Sequence, residues 1–107
     1  MTTFIWTFYS NDEDGYFCAS SDTLENARQM LIPVIEKAYN EMIKEEIEHV
    51  YSLLGTTRNG KIFTKEICDS HINWWKNYAI RRKSRIFDLP DIVIEENSAI
   101  IVNTAAL

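Results

Sequence analysis

Glycine is scarce in this chain: Gly15, Gly55 and Gly60 are the three among 107 residues. A P-loop and a dinucleotide fingerprint each need several glycines at fixed spacing, so neither phosphate-binding motif can be written here. Cysteine is limited to Cys18 and Cys68, with no framework spacing. Thirteen aromatics supply enough buried area for a core without staples, and the two cysteines read as reduced thiols. No stretch approaches the ~20 consecutive apolar residues of a membrane span, so no membrane partner is expected. The N-terminus opens on a strand-like run without the basic region and cleavage site of a signal peptide. An intracellular location, cytoplasmic or nuclear, is therefore expected. Residues 86–107 contain no basic side chain at all.

The bases that are present are concentrated. Residues 1–57 hold Arg28, Lys37 and Lys44 against ten acids, a balance of −7. Residues 58–85 hold eight bases against Glu66 and Asp69, a balance of +6, and residues 86–107 contribute −4. The total of −5 thus conceals a positive block between two negative ones.

Length and composition, 46% apolar and 25% charged, point to a single globular domain over residues 1–107. Thr3 to Ser10 reads as a strand, residues 11–15 as a turn in which Gly15 tolerates positive φ, and Tyr16 to Ala19 as the returning strand. Asp22, with Glu25 three residues on, reads as a helix N-cap. Helical spacing then runs from Leu24 to Leu54, with Gly55 as the stop and Pro33 as an expected kink or break. Unbroken over 23–54, that helix would be about 48 Å long at ~1.5 Å per residue. A domain of this size has a radius of gyration near ~13 Å, so the helix must bend or pack on a second copy.

Asn59-Gly60 marks a turn, a second helix is predicted from about Thr64 to Lys83, and residues 91–95 and 99–103 read as a second hairpin. The predicted fold is α+β in ββααββ order: an antiparallel sheet from an N-terminal and a C-terminal hairpin, packed against two helices, the first long and bent at Pro33. The long helix, the apolar run Ala99 to Val102 and the opposed charge blocks together predict a homodimer.

Chemistry is sparse. The candidate binding site is the basic–aromatic run on the second helix: Trp74, Lys76, Arg81, Arg82, Lys83 and Arg85. Cations neutralise phosphates and aromatics stack on bases, which suits an anionic partner, nucleic acid or chromatin. Trp75, Tyr78 and Ala79 fall on the apolar face as core, and Trp74 lies between the two roles. The competing reading pairs these bases with the acidic first helix or with another subunit. Arg81-Arg82-Lys83-Ser84 matches nuclear-localisation and basophilic-kinase patterns, both too short to separate from chance.

No cofactor is called for. Glu46, His49, Cys68 and His71 could surround a zinc ion if the helices faced correctly, but nothing in the sequence forces this. A solvated face for Glu46 and His49 and a core edge for Cys68 and His71 are expected instead. The expected function is non-enzymatic binding of an anionic partner. The alternatives are a protein-binding inhibitor working through Glu41, Glu45, Glu46 and Glu48, or a small nuclease or metal hydrolase. The enzyme would require His71 or His49 to be exposed beside a cleft.

Overall fold

A computed structural model of the protein describes residues 1–9 and 14–100, and for Tyr9 and Asp14 the backbone alone. Strand β1 is Thr2–Tyr9, β2 is Asp14–Ser21, helix α1 is Leu24–Ser52, β3 is Thr57–Arg58, β4 is Lys61–Ile62, α2 is Lys65–Ser84 and β5 is Ile92–Ile94. A short 3-10 turn, Arg85–Phe87, follows α2. The class is mixed α+β, and the order agrees with expectation apart from the extra strands β3 and β4. By contacts the chain divides into two compact units. One holds residues 1–35 with those from Ser84 onward, and the other holds residues 36–83.

The first unit is built on an antiparallel sheet of order β2-β1-β5. The period-2 pattern of a strand sends Phe4 and Trp6 to one face, opposite Ala19 and Phe17 on β2. Ala27, Leu31 and Ile35, spaced i, i+4, i+8 along α1, are buried in this unit, as are Phe4, Trp6, Ala19 and Ile86. Trp6 is fully buried, and its indole Nε1 donates to the Asp88 carbonyl at 2.9 Å, so the polar end of the ring stays satisfied. Arg28 holds the same segment, donating from Nε to the Ile86 carbonyl and from Nη2 to that of Asp88, each at 3.0 Å.

Several expectations shift here for local reasons. Gly15 lies within β2 opposite Phe8, and positive φ is not what fixes it. The cap of α1 is Thr23 in place of Asp22: its Oγ1 accepts from the Asn26 amide at 3.1 Å, and its carbonyl accepts from Ala27 at 3.1 Å. α1 is one 29-residue helix with Pro33 inside it, so two consecutive helices do not form. The unit boundary falls after Ile35. Residues 91–95 supply β5, which pairs with β1, joining the two ends of the chain in one sheet. The turn after β5 forms, with Asn97 at φ 61° and the Ser98 amide donating to the Glu95 carbonyl at 3.2 Å. Residues 99 and 100 are not in a strand, and the rest of the expected last strand lies outside the described residues.

The second unit takes α1 from residue 36 onward, the β3–β4 hairpin and α2 up to Lys83. Val50, Cys68 and Ile72 form its core, with Ile47 and Phe63 packed against them. Tyr51 donates its hydroxyl to Asp69 at 2.7 Å, and Lys65 approaches the other carboxylate oxygen at 2.9 Å. These two hydrogen bonds, from Tyr51 and then Lys65, hold the Asp69 carboxyl below its ordinary range. Neither Cys18, which is exposed, nor Cys68, which is buried, is in a disulfide. Among the described residues no helix is long and apolar enough to cross a membrane.

Candidate functional site

Helix α2 starts where its sequence can cap it. Thr64 accepts the Ile67 amide on Oγ1 at 3.3 Å and the Cys68 amide on its carbonyl at 3.0 Å. It ends in Arg81, Arg82 and Lys83, cations that suit the negative end of the helix dipole.

The six residues expected to bind have separate fates. Arg82 is buried, 8% exposed, with its guanidinium 5.0 Å from the Tyr78 ring centroid. Lys83 reaches Glu36 of α1 at 3.3 Å. Arg85 belongs to the first unit and lies in the 3-10 turn beyond α2. Its guanidinium donates to the Thr7 carbonyl at 3.2 Å, to Asp88 at 3.0 Å and to Asp91. Asp91 is also held by the amide and hydroxyl of Thr7, at 2.7 and 2.9 Å. Partial burial pushes its carboxyl upward, but the Thr7 hydrogen bonds and the Arg85 charge outweigh this and hold it below the usual range. Lys76, Arg81 and Trp74 are exposed. The pairing of bases with the acidic helix is thus realised at Lys83 and Glu36.

Within the second unit, α2 side chains that are exposed or, at Tyr78, half-buried form a line. Ile67, His71, Trp74, Tyr78 and Arg81 recur at steps of four and three and therefore share one helix face, about 21 Å long. Trp74 is 53% exposed, its ring stacked on Tyr78 at 5.6 Å and 13° and set edgewise to Trp75 at 4.8 Å. Trp75 and Tyr78 are half-buried and Ala79 is buried.

The N-terminal end of this line faces a cleft of about 520 Å³. Asn59 and Gly60, at φ 51° and 76°, make the two-residue turn that needs positive φ at both central positions. That turn sets Arg58 directly opposite Lys61 in the ladder, so two cations stand side by side at the mouth. Ile62, Phe63 and Ile67 supply apolar wall, and His71 closes it, its ring 6.2 Å from that of Phe63. A second depression, about 390 Å³, continues from His71 to Ser70 and Trp74. Among the described residues no carboxylate lines either space.

Sequence reading missed Arg58, Lys61 and Phe63 as site residues. The available signal was Asn59-Gly60 flanked by a base on each side, which in a two-residue hairpin become cross-strand neighbours. Among the described residues no three potential metal ligands cluster, so Glu46, His49, Cys68 and His71 do not assemble. The Cys68 thiol is fully buried, with Sγ 3.6 Å from the Val50 carbonyl oxygen. Comparison of the chain with protein-family models, curated proteins and solved structures finds no match.

Proposed function

We propose that the protein is a non-enzymatic binding protein whose second unit engages nucleic acid, free or in chromatin, through the basic and aromatic side chains of α2 and the β3–β4 hairpin. One observation carries this reading. In a chain of net charge −5, Arg58, Lys61 and Lys76 form no ion pair among the described residues, while Trp74 is left half exposed. Uncommitted cations beside an exposed aromatic are what phosphate neutralisation and base stacking use. Of the cations read from the sequence, Lys76 and Arg81 remain on the proposed surface, while Arg82 is buried, Lys83 is paired with Glu36 and Arg85 belongs to the first unit.

Filter binding of a mixed DNA and RNA pool at low and at physiological salt tests the reading. Expected is retention that falls as salt rises, and that weakens further in the Lys76→Ser, Arg81→Ser double variant. Retention at neither salt overturns it.

A nuclease reading draws on one observation, the exposure of His71 beside the cleft. An imidazole there could move a proton. Shortening of the bound pool, abolished by His71→Ala, would favour this over simple binding. The expected homodimer stays part of the proposal and draws on exposed Phe87, Leu89 and Val93 in the first unit. A mass by light scattering equal to one chain would remove it.

A further inference from the structure

The geometry points to single-stranded rather than duplex nucleic acid as the ligand of this surface, seated with one base in the cleft between the β3–β4 hairpin and α2 and the next against Trp74. The inference rests on the nucleic-acid reading above and specifies its substrate.

The cations and the apolar surface are arranged for two different parts of one ligand. Arg58 and Lys61 stand together at the cleft mouth, suited to a phosphate, while Ile62, Phe63, Ile67 and the edge of His71 line the space beside them. A space of about 520 Å³ with mostly apolar walls admits a flat ring with its sugar. His71 borders the second depression as well, and Trp74 lies one helical turn further along the same face. A strand leaving the first space therefore meets an indole that is 53% exposed.

A duplex keeps its base faces inside the stack and presents phosphates and groove edges. It could use the cations, but neither the apolar walls nor the Trp74 ring face. A single strand can use all three. Among the described residues neither lining holds a carboxylate, so no negative side chain of the walls opposes a polyanion there.

The test uses a fluorescein-labelled oligothymidylate of about ten nucleotides, within the range of single-strand site sizes. Its comparators are a duplex of equal length and a glutamate-rich peptide. Fluorescence anisotropy should show the single strand bound more tightly than the duplex. Trp74→Ala should weaken it by between about five- and one hundred-fold, with Trp74→Phe restoring part of the loss. Arg58→Ser with Lys61→Ser should reduce the salt slope by about 0.7, from the one phosphate the pair holds. Unchanged circular dichroism and melting in each variant exclude unfolding as the cause.

Equal or tighter binding of the duplex overturns the inference, as does wild-type affinity in Trp74→Ala together with the hairpin double variant. In both cases nucleic-acid binding itself would stand. If no nucleic acid binds and the acidic peptide does, the parent reading falls and the inference with it.

Discussion

Gly15 stands opposite Phe8 in the β1–β2 ladder, and the space its missing side chain leaves is filled by the Phe8 ring. A Cβ at position 15 would come within 2.6 Å of Phe8 Cε2. The ring is also packed edgewise on Phe17 at 5.0 Å, which limits its retreat. Gly15→Ala is therefore expected to destabilise the protein by about 1–3 kcal/mol, the usual range for overpacking. Urea denaturation reads this, and Phe8→Leu in the same chain should return part of the loss. Additive losses in the double variant would show that the two side chains do not compete for space.

Asp91 gives stability an acid dependence of known sign. Its folded carboxyl titrates below the ordinary value of about 3.8. Its contribution is thus fully present above that value and disappears as pH falls through the lower folded value. At neutral pH, Asp91→Asn should cost about 1 kcal/mol, a figure discounted because the contact with Arg85 is partly solvated. Denaturation midpoints measured from pH 6 down to pH 2 should converge for the two proteins at the acid end. A gap that stays constant over that range would show that the charge on Asp91 is not what the Thr7 and Arg85 contacts use.

The basic residues should separate by role in a one-at-a-time series. Arg82→Ser and Arg85→Ser remove a buried cation over Tyr78 and a guanidinium serving three acceptors, so each should lower stability by about 1–3 kcal/mol. Arg81→Ser and Lys76→Ser alter exposed positions and should stay within about 0.5 kcal/mol of wild type. Thermal melts of the four variants decide it. A simultaneous change of the whole 81–85 cluster would confuse loss of fold with loss of binding.

Helix capping gives a comparison between adjacent residues. Thr23→Ala should cost about 1 kcal/mol because it removes the acceptor of the Asn26 amide. Asp22→Ala, one position earlier, should cost much less. The reverse order in chemical denaturation would return the cap to Asp22.

The long elements were legible because each carried its own period. The alternation of residues 3–10 and the helical spacing from Leu24 and from Thr64 placed β1, α1 and α2 within about two residues of where they lie. The cap slipped by one because Asp22 and Thr23 are both competent, and the choice depends on how the chain leaves β2. The β3–β4 hairpin was read as a turn alone, since its strands are two residues each and show no alternation. The fates of the bases were not legible. Arg82, Lys83 and Arg85 look alike in sequence, yet Arg82 lies over Tyr78, Lys83 pairs with Glu36, and Arg85 bonds Thr7 and Asp91, with positions up to 78 residues away deciding the outcome. Periodicity reports which face a residue takes, not which carboxylate comes to meet it.

The two thiols make the second unit's opening measurable without any added probe. Cys18 is exposed in the sheet and should react with a thiol reagent in the folded protein, while Cys68 has no exposed surface among Val50 and Ile72. In a Cys18→Ser background, modification would then proceed only as fast as residues 36–83 let solvent in. The reaction rate, compared with that of an unfolded peptide thiol, gives the free energy of that opening. A ligand held by the cleft should slow it in proportion to its occupancy.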